Sequence, residues 1–259
     1  MPFITAGDPD MTTMLKVLSR LAEQNVDLVE IGFPYSDPIA DGPVVQASYT
    51  RALNKQTHVD DIFDGIASLA NTDLPAFVAM VSYAIIFRYG ISKFLSKAEQ
   101  SGFSGLIVPD LPGDEAAEFF AATREQGLDL IQLVAPTTPP ERLDKILKSA
   151  SGFLYCIAVA GITGARDELP AHLDDYLSNL RSKTDLPLAV GFGISREEHV
   201  EALRGKAEGA IVGSAIVRHF EAFHEAGTNT ETVIDTIAEF TAGLLKAVKN
   251  QKNSGTNDV

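Results

Sequence analysis

An acid in the middle of an apolar run is the first feature of this sequence that asks for a chemical explanation. Glu30 lies inside Leu28-Val29-Glu30-Ile31-Gly32, and a second acid, Asp41, follows in the Pro- and Gly-rich stretch from Phe33 to Pro43. Burying an unpaired carboxylate costs on the order of several kcal/mol, so Glu30 needs a reason to be there. Residues of a strand alternate faces. Leu28, Glu30 and Gly32 therefore share one side and Val29 and Ile31 the other, which aims Glu30 into whatever that strand encloses. Two acids held at different depths can move protons on and off a substrate. The plainer alternatives are a structural Glu30 paired with a lysine or arginine, and Asp37 and Asp41 as turn residues beside proline and glycine.

A second chemistry is carried by glycines. Gly191-Phe192-Gly193-Ile194-Ser195 and Gly213-Ser214 each follow an apolar run, and Gly161-Ile162-Thr163-Gly164-Ala165-Arg166 follows another. Glycine lets a ligand approach backbone N–H groups, and a helix start favours negative charge, so such turns can hold a phosphate. A turn made of glycine only for tight geometry is the alternative for either one alone. The Gly161 to Arg166 loop is long enough to act as a lid.

These residues need elements to place them. Short apolar runs alternate with segments of helical period, punctuated by Gly, Pro, Asp and Ser. Strands are expected at 3–6, 27–32, 76–82, 104–108, 129–134, 153–158, 187–191 and 208–212. Helices are expected at about 10–24, 44–53, 58–70, 91–101, 113–126, 139–150, 170–182, 196–204 and 229–248. Eight strands alternating with helices in a chain of this length predict an α/β fold, a parallel (β/α)8 TIM barrel over 1–250, with a polar tail at 251–259. A doubly wound sheet would show a Gly-rich fingerprint after its first strand, and Ala6-Gly7-Asp8-Pro9 is not one. Chemistry in such barrels sits at the C-terminal strand ends, where this chain delivers Asp8, Glu30, Tyr83, Asp110 and Tyr155, then the glycines after strands seven and eight.

A net charge of −14 over 259 residues argues against nucleic acid and anionic membrane as partners. No apolar run is long enough to span a membrane and no signal peptide is evident, so the chain is expected in the cytoplasm. The one cysteine, Cys156, lies in an apolar strand and reads as core. The five histidines show no ligand spacing, so they are expected at the surface and no metal site is expected.

In these motifs, with Pro2-Phe3-Ile4-Thr5-Ala6-Gly7-Asp8-Pro9 and Gly209-Ala210-Ile211-Val212-Gly213-Ser214, the sequence resembles the tryptophan synthase alpha subunit family from Pro2 to the last helix. The resemblance implies a lyase that cleaves indole-3-glycerol phosphate by a retro-aldol reaction into indole and glyceraldehyde 3-phosphate. It needs no cofactor and passes indole to a beta subunit in an α-β-β-α complex. By the same resemblance Glu30 is the catalytic acid/base and Asp41 stabilises charge on the indole nitrogen, with Tyr155 beside the glutamate. Thr163 closes against the aspartate, Gly164, Gly193, Gly213 and Ser214 bind phosphate, and Phe3 and Phe192 line the indole pocket. Two departures stand out. The family usually has a helix ahead of the first strand, which is expected to be missing here through a truncated or misassigned start, and it often has Asn-Pro where Ala84-Ile85 stands, near the beta-subunit surface. A non-catalytic subunit that binds the phosphate ligand and activates a partner is the competing reading, as is another phosphate-binding barrel enzyme. A Schiff-base aldolase would want a lysine at a strand end, and none of the expected strands offers one.

Overall fold

Eight parallel strands pair in sequence order, β1 to β8, in the computed structural model, which describes residues 1–38, 41–69, 73–157, 172–191, 193–225 and 227–249. The strands are β1 (Phe3–Thr5), β2 (Leu28–Gly32), β3 (Ala76–Met80), β4 (Phe103–Ile107), β5 (Asp129–Val134), β6 (Leu154–Ile157), β7 (Leu188–Gly191) and β8 (Gly209–Ile211). The ring closes because Phe3 N–H donates to Val212 C=O and Val212 N–H to Met1 C=O, both at 2.9 Å. A parallel bridge between Pro2 and Val212 thus joins the first strand to the last.

Alternation along the strands sorts the side chains into two cores. Leu28, Val78, Ile107, Ile131, Phe153, Ala189 and Ile211 fill the barrel interior. Val29, Ile31, Ala79, Leu106, Leu130 and Val190 point outward into the larger core beneath the helices. Cys156 is in that outer core and fully buried, and burial pushes its thiol up to about 12, so it stays protonated, as the core reading requires.

Helices α1 (Met11–Glu23), α2 (Pro43–Asn54) and α3 (Val59–Ala67) cover the first third of the ring. The side chain of Asp10 caps α1 by accepting from Thr13 N–H at 2.9 Å, and Met14, Val17, Leu18 and Leu21 form its buried stripe. Proline opens α2, where its missing N–H costs nothing. The rest of the shell is α4 (Tyr83–Tyr89), α5 (Ile91–Gln100), α6 (Ala117–Glu125), α7 (Pro140–Lys148), α8 (Leu173–Arg181), α9 (Glu197–Ala202), α10 (Ser214–Glu221) and α11 (Thr230–Lys249).

Sequence reading missed two of these helices. Tyr83 is not at a strand end: it opens α4, with Ser82 as N-cap and Asp110 accepting from both Ser82 Oγ at 2.6 Å and Tyr83 N–H at 2.7 Å. Seven β-branched and aromatic-rich residues are too few to show a helical period, and the local cap, in which Ser82 Oγ accepts from Ala84 N–H at 3.2 Å, is held in place by a remote acid. Likewise Ala215-Ile216-Val217 belongs to α10, whose buried stripe of Ile216, Val217 and Phe220 shows only over its full length. His199 also departs from its expected surface position, being 4% exposed with Nδ1 facing Ser195 N–H at 3.4 Å. The expected tail at 251–259 lies outside the described residues.

Candidate active site

Parallel register sets the depth of each inward residue at the C-terminal end of the barrel. Phe3, Glu30 and Val78 form one layer across β1, β2 and β3, and Thr5, Gly32 and Met80 form the next layer toward the mouth. Glu30 therefore lies one layer inside the mouth, roofed by a glycine. A Cβ on Gly32 would collide with the Phe3 ring and stand 2.9 Å from the Tyr49 hydroxyl. Glycine is required there to let both rings close over the acid.

Glu30 is fully buried, and among the described residues neither carboxyl oxygen has a hydrogen-bond partner. No lysine or arginine among the described residues pairs with it, against the alternative of a structural ion pair. Asp8, equally buried at the end of β1, is the acid that has one: Arg51 of α2 donates Nε to Oδ1 at 3.0 Å and Nη2 to Oδ2 at 2.6 Å, and His224 Nε2 lies 3.2 Å away. The two buried acids have opposite environments, and only Glu30 is left with its proton chemistry unused.

Burial, then the nearby charge of Asp41, pushes Glu30 up to about 8, against a smaller opposing pull from the N-terminal amine. Burial alone raises Asp41 to about 6. The turn around Asp41 is held by its backbone, whose N–H donates to Pro38 C=O at 3.1 Å and whose C=O accepts from Gln46 Nε2 at 2.7 Å. Among the described residues these two bonds are made by its backbone and leave its carboxyl aside. Near neutral pH one acid keeps its proton and the other is ionised, the division of labour that acid–base chemistry needs.

Tyr155 reaches the same place from β6. Gly191 makes room for it, since a Cβ there would stand 2.8 Å from the phenolic oxygen. Burial and then the charges of Glu30 and Asp41 hold its hydroxyl well above its ordinary value, so it can donate but not act as a base. The glycine turns flank this trio. Gly213 caps α10 with φ −95° and ψ −92°, Ser214 is the first helical residue, and a Cβ on Gly213 would reach the Cβ of Phe3 at 4.0 Å. Gly193 has φ +87°, a conformation that suits glycine. Thr163, Gly164 and Phe192 lie outside the described residues. Among the described residues no group of three or more His, Cys, Asp or Glu side chains could hold a metal ion, and no helix is long and apolar enough to cross a membrane.

Sequence reading missed Tyr35 and Tyr49, whose rings contact at 5.8 Å beside Phe3. A signal existed for Tyr49: Val45, Ser48, Tyr49 and Ala52 have the spacing of one helix face, and all are buried.

A pH dependence of stability follows from Glu30. Its folded pKa is raised from 4.5 to about 8, so between these values the native state holds a proton that the unfolded chain has lost. The stability is fully present below the lower value and is lost as pH rises through the upper one. Glu30→Gln removes this loss. Thermal melts at pH 5 and pH 9 should show the variant gaining on the wild type by a few kcal/mol at the higher pH, at about 1.4 kcal/mol per unit. A difference that does not change with pH would mean that the carboxyl is hydrated or paired.

Comparison with known proteins points one way. The family model described as tryptophan synthase alpha chain matches residues 1–249. The tryptophan synthase alpha chain of Rhodopirellula baltica is 46% identical over 243 residues, 92% of this chain and 87% of that one. Among solved structures, the alpha chain from Legionella pneumophila superposes with TM-score 0.86 at 31% identity, covering 97% of this chain and 92% of that one. The tryptophan synthase a2b2 complex from Pyrococcus furiosus has a chain that superposes with TM-score 0.85 at 37% identity, covering 95% of this chain and 96% of that one.

Proposed function

Because the chain belongs to the tryptophan synthase alpha chain family, and is thus the lyase that cleaves indole-3-glycerol phosphate to indole and glyceraldehyde 3-phosphate in tryptophan biosynthesis, we propose that Glu30, Asp41 and Tyr155 carry its reaction. The observation that carries the assignment is a fully buried Glu30 with no hydrogen-bond partner among the described residues, beside an acid that ionises at lower pH.

Cleaving the bond between indole C3 and the glycerol chain requires the ring to accept an electron pair. Protonated Glu30 supplies a proton to C3, which leaves the ring cationic at nitrogen. Ionised Asp41 stabilises that charge. The Glu30 carboxylate so formed takes the proton from the adjacent hydroxyl, the C–O bond becomes a carbonyl, and the electrons of the breaking C–C bond restore the neutral indole. One proton leaves Glu30 and one returns, so a single acid closes the cycle. General acid–base help of this kind contributes roughly 10² to 10⁴-fold, and charge stabilisation in a dry site contributes further. Tyr155 donates a hydrogen bond near the Glu30 carboxylate as it forms.

The phosphate is assigned to the backbone of Gly193, Gly213 and Ser214, and by motif match to Gly164. An acidic chain can hold it this way because N–H groups at turns and at a helix start supply the positive end. Phe3, packed between Gly32 and Gly213, walls the indole pocket, with Phe192 and Thr163 assigned by motif match alone.

We further propose a beta subunit as partner, in an α2β2 assembly of the kind described for the Pyrococcus furiosus complex, working in the cytoplasm. Phe87, on α4 beside Ala84 and Ile85, is 70% exposed and supports an apolar contact there. The test is glyceraldehyde 3-phosphate release from indole-3-glycerol phosphate with and without a tryptophan synthase beta subunit. Turnover that rises with the partner is expected. Ligand binding without turnover in either condition would favour a regulatory subunit instead.

A further inference from the structure

We propose that Tyr49 is a further substrate-binding residue, its hydroxyl hydrogen-bonding a hydroxyl of the phosphorylated three-carbon chain between the phosphate turn and the bond that breaks. The inference rests on the proposed function for the identity of the ligand.

Tyr49 is 1% exposed, on the inner face of α2. Its ring is fixed by Tyr35 at 5.8 Å and by Phe3 at 6.5 Å. Its phenolic oxygen stands 2.9 Å from where a Cβ of Gly32 would be, one layer above Glu30. Only a glycine at the end of β2 lets the hydroxyl reach that point. Among the described residues nothing hydrogen-bonds to this hydroxyl. The buried side-chain oxygens left without a partner among the described residues are the two of Glu30, so the Tyr49 hydroxyl keeps access to the mouth, where its polar tip is available to a ligand. The other buried hydroxyls nearby are satisfied: Thr5 and Ser48 bond each other, and Ser48 also donates to Val45 C=O at 2.7 Å. Tyr49 is the exception, and it stands at the mouth.

Its place in the mouth indicates which part of the ligand it meets. Gly213 lies against Phe3, Phe3 and the Tyr49 hydroxyl both lie over Gly32, and Glu30 lies beneath Gly32 on the same strand. A ligand with its phosphate at Gly213 and its reacting carbon at Glu30 carries its hydroxyl-bearing carbons past Tyr49. Burial and the charges of Asp41 and Glu30 keep the phenol protonated. It therefore serves as a hydrogen-bond donor and takes no part in the proton transfers.

The test uses Glu30→Gln protein, which holds substrate without consuming it, with and without Tyr49→Phe. Two ligands are titrated: indole-3-glycerol phosphate, and an analogue whose indole and phosphate are joined by an unsubstituted propyl chain. Tyr49→Phe should weaken binding of the hydroxylated ligand by roughly five- to tenfold, the worth of one neutral hydrogen bond, and leave the propyl analogue within about twofold. In the Glu30 background kcat/KM should fall by a similar factor. Equal losses on both ligands would mean that Tyr49 only shapes the pocket, and no loss on either would mean that its hydroxyl touches nothing; each outcome overturns the inference. Turnover near the wild-type rate by Glu30→Gln alone would instead defeat the assignment of Glu30, which the same samples report separately.

Discussion

Glu30→Gln should retain substrate binding and lose turnover by roughly 10² to 10⁴-fold, the usual worth of a positioned acid–base group. Glutamine keeps the shape and fits the same enclosed space, but it can neither deliver a proton to carbon nor take one from a hydroxyl. The loss should appear in kcat, with KM nearly unchanged, because Glu30 has no hydrogen-bond partner among the described residues and its value is realised only as bonds change. The measurement is kcat and KM for glyceraldehyde 3-phosphate release, with the folded state checked by its melt. Activity near wild type would remove Glu30 from the mechanism. In the wild type, kcat/KM should trace a bell bounded by about 6 for Asp41 and about 8 for Glu30. Activity needs Asp41 ionised and Glu30 protonated, so it falls below the first value and above the second.

Arg51→Met should cost about 3 kcal/mol or more of folding stability, read by urea unfolding, because it leaves Asp8 buried with His224 as its remaining side-chain partner among the described residues. Methionine retains most of the apolar stem of Arg51, so lost packing is a small part of the effect. The double variant Asp8→Asn with Arg51→Met should recover much of the loss, since no charge then remains to be compensated. A cost below about 1 kcal/mol for Arg51→Met would mean that Asp8 is served by water or by His224 alone. The pair also bears on the site. Asp8 joins the end of α2 to His224 just beyond α10, and these two helices pack on either side of Phe3, so activity should fall along with stability.

Both predictions concern buried acids, and they mark how far local pattern can be followed. The strand set was legible because each strand is a short apolar run between turn residues, and alternation alone put Glu30 on the same face as Leu28, which fills the barrel interior. The glycines after β7 and β8 were legible for the same reason, as breaks in apolar runs. Helices α4 and α10 were not, because each is short and its cap or buried stripe depends on residues beyond its own period.

Sequence by itself determined the eight-strand barrel, the inward face of Glu30 and the order of the motifs, since these follow from periods of two and about 3.6 residues that any short window displays. Tertiary structure alone decided which buried acid is neutralised and which is left alone. Asp8 meets Arg51 across 43 residues and His224 across 216, while Glu30 accepts no hydrogen bond among the described residues and feels only the weaker pull of the N-terminal amine. Charge pairing depends on distance through space, and closing the ring sets those distances only when every strand is in place.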